Sequence, residues 1–181
     1  MKRNLTIIFF VLIYNICNSQ HSERFLEFVK DLKEIGCKTD TTYYKNGNIR
    51  WIESWITYEY NSEEYSTGSG RQVQYYKNGQ LANESYLDKY GNILSWKGFD
   101  RNGNKTIESV TTEIDSDAES LTELFNSTTD TKFKRYNRLY KCLRKSGNCY
   151  LHKEGERVNG KKKGVWTTYY DNGKIKKKKE Y

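Results

Sequence analysis

Tyr43-Tyr44-Lys45-Asn46-Gly47, Tyr75-Tyr76-Lys77-Asn78-Gly79 and Tyr169-Tyr170-Asp171-Asn172-Gly173 are three copies of one five-residue core, Tyr-Tyr-x-Asn-Gly. Two residues after each glycine stands an aliphatic residue: Ile49, Leu81 and Ile175. Asn-Gly between aromatic and β-branched runs is a strong hairpin signal, because both residues tolerate the φ > 0 of a tight turn that matches strand twist. Turns are therefore expected at Asn46-Gly47, Asn78-Gly79 and Asn172-Gly173. The second and third copies also align upstream, Gly70 with Gly164, and there Trp166 stands opposite Gln72. Degenerate units lie between them, Tyr90-Gly91-Asn92-Ile93 and Asn102-Gly103-Asn104. Gly79, Gly91 and Gly103 are spaced by 12 residues, the length of one short strand plus a turn.

The flanking segments read as strands over Thr41–Tyr44, Ile49–Tyr60, Gln72–Tyr76, Leu81–Leu87, Ile93–Phe99, Lys105–Ile114, Lys132–Leu143, Val165–Tyr170 and Lys174–Tyr181. Short turns force sequential neighbours to pair antiparallel. The expected fold is mainly β, an extended antiparallel meander of repeated hairpins. Two helices decorate it. One starts at Ser22, carries Phe25, Phe28, Val29, Leu32 and Ile35 near helical spacing and ends at Gly36. The other is a short acidic candidate over Asp115–Phe125 that interrupts the repeats. The chain divides into a leader at 1–19, a helix at 20–36, hairpin repeats at 37–114, an acidic insert at 115–131 and basic hairpins at 132–181.

The leader has a basic start, Lys2 and Arg3, then an apolar run from Leu5 to Tyr14, too short to span a bilayer comfortably. That is the layout of a cleaved signal peptide, with Cys17 and Ser19 as the small residues before a cut after Ser19. A retained anchor and lipidation at Cys17 are the alternatives, the latter disfavoured by Ile16. The expected address is periplasmic, outer-membrane-associated or secreted. In 181 residues, 16 Tyr, 7 Phe and 4 Trp supply apolar area to a polar chain, while the absence of Pro excludes collagen-like and polyproline readings. Charge is uneven: residues 20–105 hold 12 basic and 12 acidic residues, 106–131 seven acids and no base, and 132–181 seventeen bases against four acids.

The unit Gly164-Val165-Trp166-Thr167-Thr168-Tyr169-Tyr170-Asp171-Asn172-Gly173-Lys174-Ile175 resembles the bacterial variant of the MORN repeat, G-x-W-x-x-Y-Y-x-N-G-x-L/I. Tyr75–Leu87 matches well and Tyr43–Trp51 in part. The resemblance implies a sheet of stacked hairpins used as scaffold or binding surface. It also implies a link to antitoxin-like components of toxin–antitoxin systems, from which an export signal departs.

Three cysteines follow the leader. Cys142 and Cys149 are spaced to clip a local hairpin, leaving Cys37 over. A zinc site from Cys142, Cys149 and His152 matches no standard ligand spacing. Catalysis would rest on His21, beside the leader, or His152, in a Lys/Glu-rich turn region, or on Glu59 with Glu63 and Glu64 at a strand end; each reads more simply as solvated surface. No phosphate loop or cofactor motif appears, so a non-enzyme without cofactors is expected. Its partner is expected to be a protein, with Trp51, Trp55 and Trp96 as contact candidates. An anionic lipid or polysaccharide is the alternative, met by a turn cluster of Lys161, Lys162 and Lys163 and by Lys176–Lys179. Nucleic acid fits the charge but not the exported address.

Overall fold

The structure is a computed structural model that describes residues 20–125, 131–143 and 146–181. The expected signal peptide lies outside the described residues, as does 126–130 of the acidic insert. The elements are α1 (Glu23–Val29), β1 (Lys33–Tyr43), β2 (Ile49–Tyr60), β3 (Glu63–Gly68), β4 (Gly70–Tyr75), β5 (Leu81–Leu87), β6 (Ile93–Phe99), β7 (Lys105–Ser116), α2 (Leu121–Phe125), β8 (Thr131–Cys142), β9 (Cys149–Val158), β10 (Lys161–Tyr169) and β11 (Ile175–Glu180). The strands form one 11-stranded sheet in the order β1-β2-β4-β5-β6-β7-β8-β9-β10-β11, with β3 paired to β2 off that path. The pairs are antiparallel, so the meander of hairpins read from the repeats is the fold.

The turns differ from the expectation in their chemistry. Tyr44 N–H donates to Asn48 O and Gly47 N–H to Tyr44 O, with Gly47 at φ +85°. The same pair of bonds recurs at Tyr76/Gln80, Asp88/Asn92, Asp100/Asn104 and Tyr170/Lys174. Asn46, Asn78 and Asn172 do not share the positive φ of the glycines that follow them. Each instead accepts on its side-chain oxygen the N–H two residues on, from Asn48, Gln80 and Lys174. These are bulged turns with glycine alone in the left-handed region and asparagine acting through its side chain.

The repeated side chains also stitch one hairpin to the next. Tyr44 Oη donates to Tyr75 O and Tyr76 Oη to Phe99 O, both at 2.8 Å. Asn46 Nδ2 donates to Lys77 O and Asn78 Nδ2 to Arg101 O. The second tyrosine and the asparagine of the motif are thus structural ties between successive turns.

Two strands were not legible in the repeats. β3 follows a two-residue turn, Asn61-Ser62, in which both residues have positive φ (54° and 64°) without a glycine. β9 joins β10 through Asn159-Gly160 (φ 47° and 76°), an Asn-Gly turn that no aromatic pair announces. The N-terminal helix stops at Val29, and Ile35 and Gly36 stand in β1. Only Phe25 and Val29 of α1 are buried, so little holds a further turn of helix, whereas β2 offers β1 an edge to pair with. Asp115 and Ser116 complete β7, which reduces the acidic helix to the five residues of α2.

The core lies where the helices meet the sheet. Phe25, Val29, Ile114 and Leu121 are buried together, with Tyr60, Tyr90, Leu94 and Phe133 packed around them. Ser22 caps α1, accepting from Phe25 N–H and donating to Asp115. His21, expected to be solvated, is part of this anchor. It shares a 2.6 Å hydrogen bond with the buried Asp88, stacks on Phe25 and pairs as a parallel bridge with Ile114.

Candidate functional site

Residues directly opposite one another in an antiparallel ladder share a face, so the register of β6 to β10 sorts their side chains into transverse rows. One face carries Gly98–Ile107–Leu139–Lys153. Two residues along each strand comes Trp96–Ser109–Asn137–Gly155, and then Thr111–Arg135–Arg157–Lys162. The core lies at the end of this face, since Phe133 stands two residues before Arg135 in β8 and pairs with Ile114. Beyond the core, the three rows line a groove of about 700 Å³ walled by Trp96, Ile107, Leu139, Arg135, Asn137 and Arg157.

Two in-strand glycines shape this floor. A Cβ on Gly98 would stand 2.8 Å from Ile107 Cγ2, and one on Gly155 would stand 2.5 Å from the Trp166 ring. Trp166 therefore lies flat across β9, only 1% exposed in a sheet of a single layer, and its Nε1 donates to Glu156 O at 2.9 Å. Gln72 occupies the matching position in the earlier repeat. Its Nε2 donates to Ser54 O at 2.6 Å beside Gly68, so the amide reproduces the indole N–H without its apolar bulk.

Around Trp166 the charge is of one sign. Arg157, Lys162 and Lys153 lie within 5.0–5.6 Å of its ring centroid, and Lys162, Lys153 and Lys179 crowd Tyr181. Burial pushes the Arg135 guanidinium below its ordinary value. Burial also lowers Lys153, and the neighbouring Lys162 lowers it further. Among the described residues no carboxylate forms an ion pair with Arg135, Arg157 or Lys162.

The opposite face of the same strands is built differently. Its row Glu84–Lys97–Glu108–Arg138–Glu154 alternates in sign across five strands. Glu108 is held by Lys105 and Arg138 and accepts from Tyr140 Oη; Glu154 is held by Arg138 and accepts from Tyr169 Oη. Burial alone would raise both carboxyls, but these bonds and charges outweigh it and keep both below the ordinary value. The adjacent row Tyr86–Ser95–Val110–Tyr136 leaves Tyr86, Val110 and Tyr136 exposed at 44, 41 and 37%.

The sequence candidates distribute unevenly over these faces. Trp96 lines the groove. Trp51 reaches the same face through Trp51–Gln74–Asn83–Gly98, and Trp55 lies four residues further along β2, paired with Lys38 and Gly68. All three are half-buried. Lys161–Lys163 are not a turn: they open β10, which puts Lys162 on the groove face and Lys161 and Lys163, with their alternate parity, on the other. Cys142 and Cys149 are joined in a disulfide across the β8–β9 hairpin, which takes both thiols from the zinc alternative; Cys37 is free and exposed on β1. His152 sits in β9, and burial together with Lys141, Lys153 and Lys176 lowers its pKa. Its Nδ1 is buried without a hydrogen-bond partner. Glu59 faces Glu64 across β2 and β3 and pairs with Lys33. Arg135 and Arg157 went unnoticed in the sequence because only the strand register brings them together.

Stacked hairpins in one open sheet, stitched turn to turn, define a β-hairpin repeat protein. The family model described as MORN repeat variant matches residues 69–89 and 162–181, the two segments that carry Gly70–Gln72 and Gly164–Trp166. No curated protein and no solved structure matches the chain. No helix among the described residues is long and apolar enough to cross a membrane.

Proposed function

We propose that this chain is a non-enzymatic, exported repeat protein whose sheet binds a protein partner through the face of Tyr86, Val110 and Tyr136. The observation that carries this reading is their shared row, a line of exposed aromatic and aliphatic side chains beside a row of charges that alternate in sign. Tyrosine supplies interface area at low entropic cost, and the alternating charges favour one register of a partner over others. An antitoxin- or immunity-like role is the case in which that partner is a toxin.

A second reading draws on the basic end of the sheet. Every residue of β11 is exposed, including Lys176–Lys179, and Lys161 and Lys163 are exposed beside it in β10. Such a surface attracts phospholipid, lipopolysaccharide or another acidic polymer. Lysines on an edge strand also block edge-to-edge pairing, which accounts for β11 without a ligand. The test is a crosslinked pull-down from the cell envelope at low and high salt, with Tyr86→Ser/Tyr136→Ser alongside. The proposal expects one stoichiometric protein retained at high salt and lost in the double variant. Recovery of lipid or polysaccharide at low salt alone would replace it with the second reading.

A further inference from the structure

Arg135 and Arg157 are directly opposite in the β8–β9 ladder, and Lys162 is directly opposite Arg157 in β10. Like charges at such positions, about 5 Å apart at Cβ, destabilise a sheet. The same strands avoid the problem on their other face, where Glu108, Arg138 and Glu154 alternate. The groove-face row has no such relief among the described residues. Arg135 Nε donates to Thr111 Oγ1 at 3.2 Å and Arg157 Nη1 to Gly160 O at 2.7 Å, both neutral acceptors. The like charges sit at the wall of a groove whose other lining is two aromatic side chains, Trp96 and Phe133, three aliphatic ones, three asparagines, a serine, a threonine and two glycines. A cationic wall beside apolar side chains that neutral hydrogen-bonding groups interrupt is complementary to an anion on a partly apolar body.

We propose that the groove binds a small ligand bearing an oxyanion, carboxylate or phosphate, on a flat apolar body. The oxyanion lies between the guanidinium groups of Arg135 and Arg157, where planar forks match its oxygens. The body lies against Trp96, Ile107 and Leu139, and Ser109 and Asn137 supply neutral hydrogen-bonding groups between the two. Lys162 adds charge at the rim. Burial, which pushes the Arg135 guanidinium below its ordinary value, accords with a cation that lacks a counter-ion among the described residues. Binding would neutralise the row and stabilise the fold in proportion to ligand concentration. The site is on the face away from Tyr86 and Tyr136, so it stands whether or not those residues bind a protein.

The experiment is a titration of the protein with benzoate and with phenyl phosphate, read by calorimetry and by the indole N–H signals in a ¹H–¹⁵N NMR spectrum. Inorganic phosphate and anionic phosphatidylglycerol vesicles are the comparison arms. The expected result is saturable binding of one or both aromatic probes, with shifts at the Trp96 indole. The arm that binds better identifies the oxyanion. Arg135→Gln and Arg157→Gln should each weaken binding by about tenfold or more, as expected for a lost charge-assisted hydrogen bond. Lys97→Gln, on the opposite face, should leave it unchanged. Two independent arginine variants keep the test decisive if one of them folds poorly, which a thermal melt reports. Absence of saturation by both probes at about 10 mM, the range of millimolar binding, would overturn the proposal. So would affinity in both arginine variants equal to that of the parent protein, or association with vesicles and with neither aromatic probe.

Discussion

The two faces of strands β6 to β9 use the same kinds of charged residue to opposite ends. On one, Glu84, Lys97, Glu108, Arg138 and Glu154 alternate strand by strand, so each neighbour relieves the next. On the other, Arg135, Arg157 and Lys162 stand side by side, the two arginines at a groove and Arg135 partly buried. Cross-strand pairing is the unit of sheet stability, so the first arrangement supports the fold while the second costs it. A local cost of this kind, retained next to a groove, is the pattern of residues kept for something other than stability.

The comparison is broken most severely by filling the floor of the groove face. Gly155→Val places a side chain where the Trp166 ring lies, and unseating that ring should cost about 3–5 kcal/mol, the range for losing a buried aromatic. Gly68→Ala, at the matching place under Gln72, meets Leu87 Cδ2 at 3.2 Å and Gln72 Nε2 at 3.4 Å, both ends of flexible side chains, and should cost about 1 kcal/mol. Urea unfolding of the two variants measures the difference.

A smaller effect separates the two turns at opposite ends of β6, of which only the Asp88 turn lies at the core. Asp88 accepts from Tyr90 N–H, Asn92 N–H and Asn92 Nδ2 and also holds His21. Asp100 makes the same turn bonds to Asn102 and Asn104 but has no histidine. Asp88→Ala should therefore cost about 2–3 kcal/mol, as for a buried charged acceptor, and Asp100→Ala about 1 kcal/mol. Thermal melts at neutral pH read both.

The opposite face has its own signature in pH. Glu108 and Glu154 are held below the ordinary carboxyl value in the fold, so they stabilise it above the unfolded value of 4.5. That contribution is lost as pH falls below 4.5 toward their folded values. Glu108→Gln/Glu154→Gln should lower stability at pH 7 by roughly 1–2 kcal/mol and flatten the profile as pH falls below the unfolded carboxyl value of 4.5.

How much of this was legible in the sequence follows from the range of the interactions. The hairpins were, because a turn is a local object and Tyr-Tyr-x-Asn-Gly marks it within five residues. β3 was not, because Asn61-Ser62 reaches positive φ without glycine, and β9 was not, because Asn159-Gly160 lacks the aromatic pair. Helical spacing through Ile35 misled because the pairing of β1 with β2 is a tertiary event that overrides local periodicity. Of the groove, Trp96 was singled out and the arginines were not. Arg135 and Arg157 lie on different strands, and a slip of one residue in the ladder would turn one of them to the other face. The three adjacent lysines at 161–163 made a conspicuous cluster in the sequence, yet strand alternation sends them to different faces.

The central claim, that one face is electrostatically relieved and the other is not, is tested most directly by two substitutions of identical charge change. Lys162→Glu converts the groove row to Arg–Arg–Glu and sets a carboxylate opposite Arg157, whereas Lys97→Glu places a third acid between Glu84 and Glu108. Urea unfolding of both variants at low salt should show Lys162→Glu more stable than the parent protein and Lys97→Glu less stable, each by roughly 0.2–1 kcal/mol per altered cross-strand pair. A shift of both variants in the same direction would show that net charge alone matters and would contradict the account.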